Sequence, residues 1–409
     1  MTLSLAAVRA LDAADPFAGT RARFALPPGV LYLDGNSLGP LQHTVARHLT
    51  DVVATQWGEG LIRSWNTHDW LDLPARVGAR IAPLIGADAA SVTVTDSTSI
   101  NLFKLLAVAV ARNPGRTTIL SETHNFPTDL HVAQGLAALK GQGVRLRTVT
   151  AEDIPAALDA DCAVLLLTEV NYRTGARHDM AALTRLAHDK GMLTLWDLAH
   201  SAGAFPVDLS AADTDFALGC GYKYLNGGPG APSFVYVAPR HLPGLRQPLS
   251  GWMGAAQPFA FDDQYEPAPG INAMRVGTPP ILSLSALEAA LDAFSGVDMA
   301  VLRTKADGLF DLFTAIAAGA PELDLVTPRD PARRGTQASF RFPLAYEAMQ
   351  ALIEQGVIGD FRTPDIMRFG LTPLYLSYED VFHAGHKLVE VITTRAYAAP
   401  RFAIRNKVV

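Results

Sequence analysis

TLWDLAHSAG, residues 194–203, runs from an apolar strand into a polar turn, and this stretch decides the fold class. The strand pattern ends at Asp197, and His200 follows three residues later. Ligands of α/β proteins bind beyond the carboxyl ends of the strands, so polar residues placed there are candidates for chemistry. Two other interpretations stay open for this stretch alone. Asp197 could cap the next helix with His200 structural, or the two could belong to a metal site, although no further ligand cluster is evident nearby.

A second stretch, GCGYKYLNGGPGAP at residues 219–232, places Lys223 between a strand-like run and a glycine-rich loop. A lysine in apolar surroundings loses its proton more easily and can form a Schiff base, and glycines let the backbone pass close to a bulky ligand. Most lysines before a loop are surface lysines, but Tyr222 and Tyr224 flank this one and Asp197 ends a preceding strand. Pyridoxal phosphate (PLP) requires an aspartate for its ring nitrogen and a lysine for its aldehyde. The sequence therefore predicts a PLP enzyme whose cofactor is bound covalently through Lys223.

Short β-rich runs alternate with helical patterns around these two stretches. We predict seven strands, at Val92–Thr95, Thr117–Ser121, Val144–Thr150, Ala163–Thr168, Leu193–Asp197, Phe216–Cys220 and Phe234–Val237. Amphipathic segments such as Leu102–Ala111 and Met180–Lys190 lie between several of them, and the small polar residues from Ser97 to Asn101 offer a helix start. Several strands are apolar along most of their length, which is typical of a buried and mostly parallel seven-stranded sheet in an α/β fold.

After about residue 295 the pattern changes to helix-rich segments with a few strands, such as Ala338–Phe342. A chain of 409 residues is long for a single core, so we expect two domains. The predicted division is a large domain at residues 30–290 and a smaller α+β domain formed by residues 1–29 and 291–409.

Composition narrows the class of protein further. The chain is 49% apolar and 18% charged with a net charge of −6, and its arginines and lysines form no run, which argues against a nucleic-acid partner. Cys162 and Cys220 both sit in apolar runs and are expected to be buried thiols of a reducing compartment. No apolar stretch is long enough to span a membrane, and the N-terminus lacks a signal-peptide layout. We therefore expect a cytoplasmic protein without a membrane or nucleic-acid partner.

Eight segments, in the expected order through most of the chain, resemble the kynureninase family of PLP-dependent hydrolases. They are LYLDGNSLGP (Leu31–Pro40), WGEGLIRSW (Trp57–Trp65), NFPTD (Asn125–Asp129), DLAHSAG (Asp197–Gly203), GYKYLNGGPGAP (Gly221–Pro232), GWMG (Gly251–Gly254), RVGTPPI (Arg275–Ile281) and MRFGLTPLY (Met367–Tyr375). The DLAH segment and the lysine are shared widely among PLP enzymes, whereas the first, fifth and last segments are specific in combination. The resemblance implies the aspartate-aminotransferase-like fold, PLP fold type I.

The resemblance also implies roles for individual residues. Lys223 would bind PLP and move protons, Tyr222 would contact the cofactor and also be an acid catalyst, and Asp197 would pair with the ring nitrogen. The other expected cofactor-binding residues are Thr98 and Ser99 at the phosphate turn, Phe126 on the ring face, and Asp129, Thr168, His200, Trp252 and Thr278 around it. Arg368 would grip the substrate α-carboxylate. Phe126 as a core residue and Arg368 as a surface arginine are the ordinary alternatives.

The implied reaction is hydrolysis of L-kynurenine to anthranilate and L-alanine by cleavage of the Cβ–Cγ bond, in tryptophan catabolism and NAD biosynthesis. Trp65, Gly277 and Thr278 resemble the bacterial type, which implies a preference for kynurenine over its 3-hydroxy form. The resemblance further implies a homodimer with its active sites at the subunit interface, and no metal ion.

Three other functions remain as alternatives. The first is another enzyme of fold type I, an aminotransferase or a cysteine desulfurase, although neither cysteine lies in the mobile C-terminal loop that a desulfurase needs. The second is a PLP-binding protein without turnover, which would not need Asp197, Tyr222, Lys223 and Arg368 together. A nucleotide-binding enzyme is disfavoured because the chain contains no Gly-Lys pair and no Gly-x-Gly-x-x-Gly after a strand.

Overall fold

A seven-stranded sheet lies at the centre of the larger part of the molecule. The structure is a computed structural model, and it describes residues 4–141 and 143–406. The strands of this sheet are β2 (Val92–Val94), β3 (Thr118–Glu122), β4 (Arg145–Val149), β5 (Cys162–Thr168), β6 (Leu193–Asp197), β7 (Phe216–Cys220) and β8 (Ser233–Val237), preceded in the chain by β1 (Leu31–Tyr32). The spatial order is β2-β8-β7-β6-β5-β3-β4; β8 is antiparallel to both neighbours and the other pairs are parallel. The predicted sheet is confirmed, with each strand within one residue of its predicted bounds.

Apolar side chains on both faces of this sheet explain why the strands were recognisable. Along β5, Leu165 and Leu167 join one core cluster, whereas Val164 and Leu166 join the other. Successive residues of a strand point to opposite faces, so a strand covered on both sides must be apolar throughout.

Helices pack around the sheet and make up much of the rest of the described chain. Their bounds are α1 Leu5–Ala13, α2 His43–Asp51, α3 Ser64–Thr67, α4 Leu73–Ile81, α5 Thr98–Arg112, α6 Pro127–Lys140, α7 Ile154–Ala157, α8 Met180–Asp189, α9 Ile281–Ala290, α10 Met299–Ala317, α11 Ala345–Glu354 and α12 Tyr378–Thr393. Ser97 caps α5 as expected, because its hydroxyl accepts the Ile100 N–H at 3.4 Å. No helix within the described ranges combines the length and apolar character needed to cross a bilayer.

The C-terminal part is built on an antiparallel sheet of four strands in the order β12-β13-β10-β9. These strands are β9 (Asp324–Leu325), β10 (Gln337–Arg341), β12 (Asp360–Arg362) and β13 (Ile366–Gly370). Helices α10 and α12 pack together beside it, and the N-terminal helix α1 packs on α12. β1 pairs with β11 (Val357–Ile358) in this part, although we assigned residue 30 onward to the large domain. The domain boundaries themselves stay a prediction.

Three parallel strands deliver polar side chains to one edge of the larger sheet. β5 ends at Thr168, β6 ends at Asp197, and β7 ends two residues before Tyr222. Because neighbouring parallel strands end at the same edge, this geometry brings residues separated in sequence into one place.

Candidate active site

A cavity of about 90 Å³ opens at this edge, and most of the predicted site residues line it. Its walls are Thr98, Ser99, Phe126, Thr128, Thr168, Tyr172, Asp197, Ala199, His200, Cys220, Tyr222 and Lys223. We call Thr98, Ser99, Phe126, Asp129, Thr168, Asp197, His200, Tyr222 and Lys223 the inner group. Asp129 belongs to it through Thr168, whose hydroxyl lies 3.1 Å from Asp129 Oδ2.

Lys223 points its amine into this cavity. Its Nζ lies 3.1 Å from His200 Nε2, 5.7 Å from the centre of the Phe126 ring and 5.9 Å from that of Tyr222. Burial lowers the pKa of His200 well below its usual value, and the charge of Lys223 lowers it further. A neutral imidazole can accept a hydrogen bond, so His200 can accept one from the Lys223 amine through Nε2.

Two buried carboxyl groups, those of Asp129 and Asp197, face the same amine. Burial raises the pKa of Asp197, while Lys223 lowers it in part. Burial and the nearby Asp197 raise the pKa of Asp129 well above its usual value. Asp197 Oδ1 accepts the Ala199 N–H at 2.7 Å, and residues 198–204 form turns, so Asp197 does not cap a helix.

Two buried polar atoms of the inner group lack hydrogen-bond partners in the part of the chain that the structure describes, and a pyridine ring with a phosphate could supply them. Asp129 Oδ1 and His200 Nδ1 are buried and have no hydrogen-bond partner among the described residues. Buried polar atoms normally have partners, so these two favour a polar ligand close by. A reactive amine, two buried carboxyl groups and the start of α5, where N–H groups favour an anion, match the chemical groups of PLP.

Tyr222 stays protonated in this environment. Burial raises the pKa of its phenol, and the neighbouring Cys220 and Asp197 raise it further. A protonated phenol at the cavity wall can donate a proton to a ligand.

The two thiols are free and buried, as the sequence predicted. Cys220 ends β7 and lines the cavity, and burial raises the pKa of its thiol. A buried, protonated thiol is a poor nucleophile. No three His, Cys, Asp or Glu side chains within residues 4–141 and 143–406 are arranged to hold a metal ion.

Arg368 lies at the side of the cavity and is not a surface arginine, because only 1% of it is exposed. Its Nε donates to Asp360 Oδ1 at 2.8 Å, and a terminal nitrogen donates to Asp360 Oδ2. The terminal nitrogens also donate to the Tyr172 carbonyl at 2.6 Å and to Ser37 Oγ at 2.7 Å. A guanidinium has five N–H donors, so a two-point grip on a substrate carboxylate requires release of one of these partners.

Besides Asp129 and Arg368, four predicted residues do not line the Lys223 cavity, and we call Trp65, Trp252, Gly277 and Thr278 the outer group. Gly277 and Thr278 border a separate cavity of about 220 Å³ together with Asp96. Trp252 is 42% exposed and borders another cavity of about 540 Å³. Trp65 packs edge-on against Trp70, with ring centres 5.7 Å apart.

Hydrogen bonds to two backbone carbonyls connect the segments of the outer group. The Met253 N–H donates to the Val276 carbonyl at 3.2 Å, which places the Trp252 segment beside Gly277. Arg275 donates to the Leu71 carbonyl at 2.7 Å, which ties the same loop to the segment after Trp65. The structure therefore divides the predicted site residues into two groups.

Sequence reasoning missed several contributors to the site, among them Thr128, Tyr172 and Asp360. Thr128 and Tyr172 line the Lys223 cavity, and the Tyr172 ring packs edge-on against Phe126 at 5.2 Å. Thr128 lies inside the NFPTD segment and could have been found there. Asp360 could have been inferred from its place eight residues before Arg368, on the neighbouring strand of a hairpin.

The N-terminal segment packs directly against the lysine segment. The Gly39 N–H donates to the Tyr222 carbonyl at 2.8 Å. A side chain at Gly39 would begin 2.4 Å from the Lys223 carbonyl oxygen, so only glycine fits there.

Known proteins resemble this chain both in sequence and in fold. A family model described as the kynureninase C-terminal domain matches residues 302–388. A kynureninase of Pseudomonas fluorescens is 51% identical over 407 residues, covering 98% of both chains. An apo cysteine desulfurase from Thermococcus onnurineus superposes with a TM-score of 0.77 at 19% identity, covering 92% of this chain and 98% of its own. A C-DES variant with glycine covalently linked to the PLP cofactor also gives a TM-score of 0.77 at 19% identity, covering 90% and 99%. At these identities the two structures show the fold, which confirms the predicted fold type I.

Proposed function

The chain belongs to the kynureninase family, and from that premise we propose that it hydrolyses L-kynurenine to anthranilate and L-alanine with PLP as its cofactor. The observation that carries the proposal is the cluster of Lys223, His200 and Asp197 in the cavity at the sheet edge. When bound, PLP supplies an aldehyde that reacts with amines and a ring that takes up electrons from the substrate α-carbon. The rest of the chemistry depends on the side chains.

The inner group would hold the cofactor. Lys223 would bind its aldehyde, and Asp197 would accept a hydrogen bond from the ring nitrogen. Thr98 and Ser99, in the first turn of α5, would bind the phosphate, and Phe126 would cover a ring face. His200, Thr168 and Asp129 would complete the polar surroundings, which fits the unpartnered atoms Asp129 Oδ1 and His200 Nδ1.

Two inner-group residues would move protons during the reaction. Lys223, once the substrate amine has displaced it, would take the proton of the substrate α-carbon, because its amine is held at the cavity wall. Water would add to the γ-carbonyl, and the Cβ–Cγ bond would then break with its electron pair left on the β-carbon, which yields anthranilate. Lys223 would return a proton to the α-carbon of the alanine product. Tyr222, whose buried phenol stays protonated, would give a proton to the β-carbon of the departing alanine.

Arg368 and the outer group would select the substrate. Arg368 would bind the α-carboxylate after releasing Ser37 or Tyr172, while its pair with Asp360 fixes the guanidinium plane. Trp65, Gly277 and Thr278 would contact the aromatic ring of the substrate, and we propose that they favour kynurenine over 3-hydroxykynurenine. Trp252 and Thr278 would complete the cofactor's surroundings.

A homodimer in the cytoplasm is part of the same proposal. The outer group lies outside the Lys223 cavity of its own chain, and Trp252, Gly277 and Thr278 are exposed. Pairing of two copies would cover these residues and bring the outer group of one copy to the cavity of the other. Two free cysteines suit a reducing compartment, and the products suit tryptophan catabolism and NAD biosynthesis.

The test is to add L-kynurenine to the PLP-loaded protein and to follow the fluorescence of anthranilate. Anthranilate should form without any added 2-oxo acid, and faster than 3-hydroxyanthranilate forms from 3-hydroxykynurenine. Product formation that requires a 2-oxo acid would indicate an aminotransferase. A PLP-loaded protein that releases no product from either substrate would indicate a binding protein.

A further inference from the structure

Lys104 is a buried charged residue that the proposed chemistry does not use. It lies on α5, in an otherwise apolar stretch, and is 0% exposed. Its Nζ donates to Asp96 Oδ2 at 2.7 Å and to the Met274 carbonyl at 2.6 Å. Burial lowers the pKa of Lys104, whereas the nearby Asp96 raises it in part. A buried ammonium is costly unless it is paired, so the contacts with Asp96 and Met274 offset the cost of burying Lys104.

The partner carboxylate stands directly beside the expected phosphate turn. Asp96 precedes the helix cap Ser97 and has a left-handed backbone with φ of +48°. It lines a cavity of about 510 Å³ together with Ser97 and Tyr222, and it also borders the cavity of Gly277 and Thr278. A free carboxylate at this place would repel a phosphate dianion that binds at Thr98 and Ser99.

The second contact reaches the outer group. Met274 ends a short helical turn at Gly270–Met274, and Arg275 to Thr278 follow at once. Val276 in this loop accepts the N–H of Met253, beside Trp252. One ammonium group therefore joins the turn before Thr98 and Ser99 to the loop that holds the outer group.

We propose that Lys104 is a positioning residue that cancels the charge of Asp96, so that the turn accepts the cofactor phosphate, and that it anchors the outer-group loop to this turn. The proposal rests on the proposed function, because it assumes that PLP binds in the Lys223 cavity. Lys104 touches neither cofactor nor substrate and acts through Asp96 and Met274.

The chain supplies a matched control in Lys305. Its Nζ also lies 2.7 Å from an aspartate oxygen, Asp15 Oδ2, and 2.6 Å from a carbonyl oxygen, that of Pro373. It is 5% exposed and lies on α10, and neither of its partners belongs to the inner or the outer group. Replacing either lysine with methionine removes one buried ammonium of the same geometry, but only one of them adjoins the phosphate turn.

The experiment measures the affinity of the full chain, stripped of cofactor, for PLP and for pyridoxal, which lacks the phosphate. Lys104→Met should weaken PLP binding about tenfold, the effect of one uncompensated charge near the ligand, and should change pyridoxal binding by less than about twofold. Asp96→Asn should leave PLP binding unchanged or tighten it, because it removes the negative charge and keeps the lysine. Lys305→Met should change neither affinity.

Weaker PLP binding in Lys104→Met without any weakening in Asp96→Asn separates charge compensation from a merely structural role. Equal weakening of PLP by both variants, or equal loss of PLP and pyridoxal binding in Lys104→Met, would overturn the proposal. If Lys104→Met does not fold, the sign of the Asp96→Asn effect decides, since weaker PLP binding in that variant contradicts the proposal. A wild-type chain that binds neither PLP nor pyridoxal would contradict the proposed function itself.

Discussion

Lys104 and Lys305 have nearly the same contacts in two different regions of the molecule. Lys104 lies on α5 beside the seven-stranded sheet, and Lys305 lies on α10 beside the four-stranded sheet. Each donates to one aspartate and to one backbone carbonyl at closely similar distances. The aspartate paired with Lys305, Asp15, belongs to the N-terminal arm, by which we mean residues 4–29, whereas the one paired with Lys104 adjoins the expected phosphate turn. The same local geometry thus secures a terminal segment in one region and controls charge at a site in the other.

The largest effect should come from a third lysine, which reacts instead of positioning. Lys223→Ala should lower the rate of anthranilate formation by at least about a thousandfold, because among the residues that the structure describes no other lysine lines the cavity to bind PLP. The covalent link is checked by borohydride reduction and peptide mass spectrometry, which should find PLP on Lys223 in the wild type. PLP attached to another lysine in the wild type would show that the central assignment is wrong.

The two buried lysines should also differ in how much their replacement lowers the free energy of unfolding. Lys305→Met leaves Asp15 buried, with 3% of its side chain exposed, and should cost about 3–5 kcal/mol in the free energy of unfolding. Lys104→Met leaves Asp96, whose side chain is 26% exposed and can be hydrated, and should cost about 1–3 kcal/mol. Urea unfolding of the cofactor-free chain measures both. A larger loss of unfolding free energy in Lys104→Met than in Lys305→Met would contradict this expectation, because Lys104 would then be mainly structural.

Asp34 provides a carboxyl group whose charge is not fully compensated. Burial and the nearby Asp360 raise its pKa to about 8, although Arg368 lowers it in part. Because this pKa is raised above that of the unfolded chain, the folded protein holds the extra proton, and stability should fall as the pH rises from about 4 to about 8. Asp34→Asn should remove this pH-dependent loss and raise the free energy of unfolding at pH 8 by roughly 1 kcal/mol or more.

The control for Asp34 is its neighbour Asp360, whose pKa is lowered by Arg368. Asp360→Asn should destabilise the protein at neutral pH, since it leaves the buried Arg368 without its ion partner. Melting temperatures at several pH values measure both variants. An Asp34→Asn variant whose stability still falls between pH 4 and 8 by as much as the wild type's would contradict the assignment.

The smallest effect is expected at Arg9, which also joins the N-terminal arm to the C-terminal part. Its guanidinium is 2.7 Å from Glu379, but the side chain is 61% exposed. Exposed ion pairs contribute little because water and salt screen them. Arg9→Ala should therefore leave the melting temperature within the scatter of repeated measurements, in contrast to Lys305→Met in the same contact region. A fall as large as that of Lys305→Met would show that exposure does not separate the two pairs.

Sequence reasoning predicted the larger sheet well because its central strands are apolar on both faces and several of them end at recognisable polar residues. Asp197, Tyr222 and Lys223 could be placed together because consecutive parallel strands end at one edge. The role of Lys104 could not be predicted, since its partner Met274 lies 170 positions away in the sequence. A lone lysine in an apolar helix gives no signal of that kind.

The division into an inner and an outer group could not be predicted from the sequence either. Motifs are ordered along the chain, and their order does not say which of them meet in one copy of the protein. The environment of Arg368 was hidden for a different reason, because its partners Ser37 and Tyr172 come from distant segments of the chain.

The contact of Gly39 with the Tyr222 carbonyl has a consequence for the order of events during synthesis. The N-terminal segment leaves the ribosome about 180 residues before the strand-end segment on which it docks. At 5–20 residues per second, the interval is roughly 10–40 s. During that time the segment around Leu31–Pro40 has no docking surface, so the reactive lysine and the segment that covers its backbone come together only after most of the larger sheet has been made.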